Sequence, residues 1–210
     1  MAPVVDAFRD ELDQIQSIFA TCAGHRSVTG FRMPYVPTED GCLVSLWDAW
    51  NRFVRALVLT SCSGPVQGLS GNVYAPGTAL TESAALASIR AGAKGTKVRV
   101  VAGEPKWFDI GAIADVTQLV GLTNDTIIVS AFTAYQVRLG GFFIQNPLEE
   151  IRVCRNLVAH KCAAALAEVR AVAGPQFTDL RTHIRSRRFG VETFSEWTEG
   201  CIAIAEAASQ

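Results

Sequence analysis

The sequence has no run of about eighteen apolar residues, so no stretch of it recommends itself as a membrane-spanning helix. Its opening carries Asp6, Asp10 and Glu11 where a secretory leader would be apolar, which points to a cytoplasmic protein. Six cysteines (Cys22, Cys42, Cys62, Cys154, Cys162, Cys201) stand singly, without a Cys-x-x-Cys pair or a histidine at zinc-ligand spacing. They read as reduced and mostly buried. No compact carboxylate cluster recommends a metal-dependent hydrolysis, and neither metal nor cofactor is expected. An excess of either charge is also missing, with 19 basic against 20 acidic residues, so any nucleic-acid site must be local. Lysine is scarce: 15 of the 19 basic residues are arginine, whose planar fork suits bidentate phosphate contacts.

What remains is an ordinary globular composition, 49% hydrophobic and 19% charged, of a length that suits one domain spanning residues 1–210. Val5, Phe8, Leu12, Ile15 and Phe19 recur at helical spacing, which predicts a first helix over residues 4–22, followed by a loop over 24–41. A second helix over 43–59 carries the wide apolar stripe of Leu46, Trp47, Trp50, Phe53, Val54 and Leu57. The glycine- and proline-rich insertion at about 61–77 offers no regular element and reads as a lid or a surface insertion. Helices are expected over 81–90, 109–120, 126–139 and 195–208, and a strand over 97–102. The best-marked helix runs from Pro147 to about Ala173, capped by Asn146 and stopped by Gly174-Pro175. The fold class is therefore mainly α, a helical bundle with irregular insertions.

Within that last helix stands Ile151-Arg-Val-Cys-Arg-Asn-Leu-Val-Ala-His160. Arg155, Asn156, Ala159 and His160 reproduce the RNxxAH pattern, and over residues 148–171 the chain resembles the HEPN superfamily of small helical proteins. The resemblance implies a HEPN-like bundle, a homodimer in which two such motifs build one composite cleft, and metal-independent RNA cleavage to a 2′,3′-cyclic phosphate and a 5′-hydroxyl. It further implies toxin, abortive-infection or stress-type biology, with an antitoxin or regulatory partner. One branch of the family carries a Tyr two residues after the His as the target of AMP transfer. Position 162 here is Cys, so that control is not expected. Some family members are noncatalytic interaction or nucleotide-binding subunits, which is the alternative reading.

The residues support this chemistry on their own terms. Histidine exchanges protons near neutral pH, because its ordinary pKa is about 6.5, so His160 can serve a ribose 2′-hydroxyl or a leaving 5′-oxygen. Arg155 is permanently charged and forked, which suits the nonbridging oxygens of a phosphorane, and Asn156 could orient the imidazole or hold the phosphate. On one continuous helix Ile151, Cys154, Val158, Cys162, Ala165 and Val169 form an apolar stripe, while Asn156, His160, Ala163 and Ala167 lie opposite among small residues that permit a close helix contact. Arg155 falls about 140° from His160 and must reach along the helix surface to join it. The bland alternative makes His160 a packed helix residue and Arg155 an ion-pair partner of Glu150 or of a distant acid.

Arg181, Arg185, Arg187 and Arg188 form the only concentrated basic run and either grip RNA phosphates or belong to a solvated connector. His25 and His183 have no partner pattern and read as surface or loop residues. Trp47 and Trp50 read as core.

Overall fold

The computed structural model describes residues 1–29, 37–93, 100–101, 104–139, 141–174, 177–188 and 190–210. It is 68% helical, with nine helices among the described residues and strands only in short antiparallel pairs, so the fold is mainly α. None of these helices is long and apolar enough to cross a membrane. The helices are α1 (Ala2–Thr29), α2 (Pro37–Cys62), α3 (Glu82–Ala93), α4 (Ile110–Leu119), α5 (Asp125–Thr133), α6 (Leu148–His160), α7 (Ala163–Ala173), α8 (Leu180–Arg185) and α9 (Thr193–Ala208). Four hairpins pair β1 (Val66–Gln67) with β2 (Val73–Tyr74), β3 (Val100–Val101) with β4 (Glu104–Pro105), β5 (Gln136–Leu139) with β6 (Phe142–Gln145), and β7 (Arg187–Arg188) with β8 (Val191–Glu192).

The chain forms two compact units. One comprises Met1–Phe8, Trp50–Tyr135 and Ala203–Gln210, the other Arg9–Ala49 and Gln136–Ile202. In the first unit Phe8 stacks on Phe53 at 4.7 Å, and Trp50 meets Phe132 edge-on at 5.1 Å, so the wide stripe of α2 is buried as its spacing requires. The glycine- and proline-rich insertion is more regular than expected. It folds into the β1–β2 hairpin, and the Leu69 amide donates to the carbonyl of Ser209 at 2.7 Å. Gly68 makes this approach possible, since a Cβ there would stand 2.2 Å from the Gln210 carbonyl oxygen.

The expected loop over 24–41 is largely helical. α1 continues to Thr29 and α2 begins at Pro37, while residues 30–36 lie outside those described. Pro37 opens α2, a place where its missing N–H costs nothing, and Glu39 and Asp40 follow in the first turn, where acids favour a helix start. The expected helix over 126–139 ends at Thr133. In the sequence Gly140-Gly141 separates two short segments that alternate apolar and polar residues or carry β-formers, the signature of a hairpin, and β5 and β6 pair from Gln136↔Gln145 to Leu139↔Phe142. Of the strand expected over 97–102, Val100 and Val101 are β3; residues 97–99 and 102 lie outside the description.

The second unit contains the largest departure. The helix expected from Pro147 to Ala173 is two helices, because Lys161 takes the left-handed conformation at φ 47° and ψ 38° and closes α6. The chain then folds back: Arg152 on α6 and Glu168 on α7 stand 4.0 Å apart, whereas sixteen residues of unbroken helix would separate them by about 24 Å. A left-handed residue other than glycine costs about 1 kcal/mol, which no hydrophobic pattern announces. The stripe expected along one helix is correspondingly split: Ile151, Cys154, Ala165 and Val169 are buried, Val158 is half-buried and Cys162 is exposed. Lys161→Gly should therefore be more stable than Lys161→Ala by about 1 kcal/mol in urea denaturation. A continuous helix would reverse that order by a similar amount, so the sign alone decides.

Candidate functional site

α6 is started by Asn146, whose side-chain oxygen accepts from the Leu148 amide at 3.0 Å, with Glu149 and Glu150 in the first turn. Glu149 takes Arg152 in a bidentate pair at 2.6 and 2.7 Å on the outer surface. Farther along, Arg155 and Asn156 are half-buried, and His160 is exposed as the last helical residue. The Nε of Arg155 is sealed from solvent and has no hydrogen-bond partner among the described residues. Glu150, the partner a bland reading would give Arg155, turns inward instead. Along α7 the small residues Ala163, Ala164, Ala167 and Ala171 are exposed, as are Ala159 and His160 on α6.

Glu39, Glu150 and Glu196 are buried carboxylates of this unit, and the first two gather most of its buried ion pairs. Glu150 accepts from His183 Nε2 at 2.9 Å, from Arg188 Nη1 at 2.9 Å and from Trp197 Nε1 at 2.9 Å. Since an ionised carboxylate can only accept, the shared proton of that contact sits on His183 Nε2, and the 3.3 Å approach of Arg188 to the same nitrogen is not a second bond. Burial alone would raise the Glu150 pKa. The bonds from His183 and Arg188, the Arg188 charge and the Trp197 bond outweigh it and hold the group down at about 2. Glu39, fully buried, accepts from Arg185 Nε at 2.9 Å and Nη2 at 2.8 Å, with Arg181 at 3.9 Å. Arg185 also lies 3.7 Å over the Phe19 ring and reaches Glu192 at 3.0 Å.

These pairs redistribute the basic run. Arg185 and Arg188 are neutralised inside the unit by Glu39, Glu192 and Glu150, and Arg181 leans on Glu39; neither a solvated connector nor a free phosphate grip describes these three. Arg187 is exposed and makes no ion pair among the described residues, so it alone keeps the character expected of an RNA-facing cation. His183, expected at the surface, is buried against Glu150 and the Phe177 ring. The side chain of His25 lies outside the described set. Trp47 and Trp50 are core residues, as expected.

An open cavity of about 620 Å³ lies beside the α6–α7 turn, lined by Leu157, Lys161, Cys162, Leu166, Asp179 and Arg181 among others. Arg155, Asn156 and His160 do not line it. Four cysteines are buried; burial pushes the Cys42 and Cys62 thiols up to about 11 and those of Cys154 and Cys201 higher still, which keeps all four protonated at neutral pH. Among the described residues no three His, Cys, Asp or Glu side chains gather closely enough to hold a metal ion.

The sequence signal that could have found the Glu150 and Glu39 centres is slight. Both acids sit in the first turn of a helix, where acids are common anyway, and their partners lie 33 to 146 residues away along the chain. Compared with known proteins, the chain matches no family model, no curated protein and no solved structure.

Proposed function

We propose that this protein is a metal-independent RNA endonuclease of the HEPN type, with Arg155, Asn156 and His160 as its catalytic residues. The observation that carries the reading is the contrast among neighbouring arginines. Arg152, Arg185 and Arg188 are each neutralised by a carboxylate, while Arg155, in the motif, has none among the described residues. An unneutralised guanidinium on the helix that ends in an exposed histidine is what transfer at a phosphodiester requires. His160 takes the proton of the ribose 2′-hydroxyl, whose oxygen attacks the phosphorus. Arg155 offsets the charge growing on the nonbridging oxygens, and the departing 5′-oxygen receives a proton from a histidine imidazolium, leaving a 2′,3′-cyclic phosphate and a 5′-hydroxyl. Asn156 orients the imidazole or the phosphate.

Arg155 and His160 diverge by about 140° around α6, so one copy does not aim both groups at one phosphate without a long reach of the arginine. A homodimer resolves this, with the exposed face of Asn156, His160, Ala163 and Ala167 meeting its symmetry mate and bringing two motifs into one cleft. The hairpin of α6 and α7 makes that face from two short helices rather than one long one. We place the enzyme in the cytoplasm, in toxin, abortive-infection or stress-type biology under an antitoxin or regulatory partner.

Purified protein should cleave RNA in EDTA and leave cyclic-phosphate ends, read by end-labelling before and after opening of the cyclic phosphate. Loss of cleavage on chelation with recovery on adding a divalent ion would overturn the mechanism. Ala163→Arg should give a monomer by sedimentation, since an arginine at a close helix contact leaves a charge without a partner there. An unchanged dimer moves the interface elsewhere. Activity that is absent from an intact dimer would favour the noncatalytic alternative.

A further inference from the structure

The β5–β6 hairpin carries two strongly exposed aromatic rings, Phe142 at 79% and Phe143, and its register places them on opposite faces. Val137 and Ile144 pair on one face; Val137 is buried, and Ile144 reaches toward Gly200 of α9, where an added Cβ would meet its Cδ1 at 3.1 Å. The other face is formed by the pairs Gln136↔Gln145 and Arg138↔Phe143, and all four side chains are exposed, Phe143 at 66%. Arg138 makes no ion pair among the described residues. The hairpin segment 136–145 contains no Asp or Glu, so the face has no carboxylate of its own to answer Arg138.

An aromatic ring, a free guanidinium and two amides on one open sheet face are the elements that take an unpaired nucleotide. The ring stacks a base, the guanidinium meets a phosphate or stacks in turn, and the amides bond base edges. A protein partner or a lipid surface would use the ring but has no need of two flanking amides. We infer that this hairpin face binds single-stranded RNA, with Phe143 stacking a base and Arg138 holding the adjoining phosphate. The inference rests on the ribonuclease reading for the nature of the polymer. β6 enters α6 through Asn146 and Pro147 alone, so the strand that would seat the RNA runs directly into the helix of Arg155 and His160. Duplex RNA keeps its bases stacked and is not expected to bind this face.

The test reads binding in the uncleaving His160→Ala background and cleavage in the parent. Fluorescein-labelled oligouridylate of about twelve nucleotides should bind, and Phe143→Ala should weaken it by a factor of about 5 to 100. Arg138→Gln should also weaken it and flatten the dependence of log Kd on log salt by about 0.7. Both positions are exposed, and unchanged circular dichroism and melting temperature verify that each variant is folded. Oligouridylate binding that ignores both substitutions, or no binding at all, overturns the inference. So does Phe143-dependent binding to phosphatidylserine vesicles without binding to the oligonucleotide. If the parent cleaves RNA while the hairpin variants bind normally, the endonuclease reading stands and the hairpin inference fails. If the hairpin variants lose binding and the parent never cleaves, the hairpin inference stands and the endonuclease reading fails.

Discussion

His160→Ala is expected to fold and to dimerise like the parent and to cleave RNA at least 100-fold more slowly at saturating substrate. The side chain is exposed at the end of α6 and makes no contact on which the packing depends, so its loss should leave stability within about 0.5 kcal/mol. Positioned proton transfer is worth about 10² to 10⁴ in rate, and His183 does not stand in for it, being committed to Glu150. Arg155→Ala should show a loss of similar size. Arg155→Lys should recover little, because a lysine supplies the charge without the fork. Arg187→Ala is the contrasting variant. It should bind RNA more weakly and with a shallower salt dependence while keeping its turnover at saturation. Arg188 is unsuited to that comparison, since its guanidinium neutralises Glu150 and its removal attacks the fold. If His160→Ala cleaves at the parental rate, with contaminating nuclease excluded, the enzyme reading is lost and the noncatalytic alternative takes its place.

Patterns local in sequence were legible. The stripe of Leu46, Trp50, Phe53 and Leu57, the cap at Asn146 and the stop at Gly174 depend on residues within a few positions of one another, and these elements stand where spacing puts them. Three features were not. The break at Lys161 is a backbone conformation that lysine adopts at a cost and that nothing in the sequence His160-Lys161-Cys162-Ala163 marks. The β5–β6 hairpin was obscured because the helical stretch before it, with Ile127, Ile128 and Val129, shares its β-branched character. The basic run misled for a different reason. Charge clusters read as surface, yet Arg185 and Arg188 are drawn inside by Glu39 and Glu150, and only tertiary structure brings those partners together. The motif itself was legible as a list of residues, whereas the lack of a hydrogen-bond partner at Arg155 Nε among the described residues became visible only in the structure.

Glu150→Gln is expected to cost about 3 to 5 kcal/mol at neutral pH. The carboxylate gathers donors from α8, β7 and α9, namely His183, Arg188 and Trp197, and holds α6 to all three. A glutamine keeps the shape but removes the charge that answers Arg188, and it turns one acceptor into an N–H group facing other donors. The pH dependence gives the assignment a second signature. In the folded chain this carboxyl takes up its proton only near pH 2, against an ordinary value of 4.5, so between those values the unfolded chain binds more protons. The stabilisation is therefore complete above about pH 4.5 and drains away as pH falls toward 2, at about 1.4 kcal/mol per unit and about 3 kcal/mol in all. Asp179 is also held below its ordinary range, by bonds from the Thr182 amide and hydroxyl, so the parent's slope is not due to Glu150 alone. Subtracting the Glu150→Gln curve from the parent's isolates it. Urea denaturation from pH 7 down to the lowest pH at which both proteins fold should show the two curves converging below about pH 4.5. Parallel curves, or a cost under 1 kcal/mol at pH 7, would mean that Glu150 does not hold α6 in place. Arg188→Met combined with Glu150→Met should recover part of the loss, because no charge is then buried alone, but His183 and Trp197 would still lack an acceptor, and the double variant should remain below the parent.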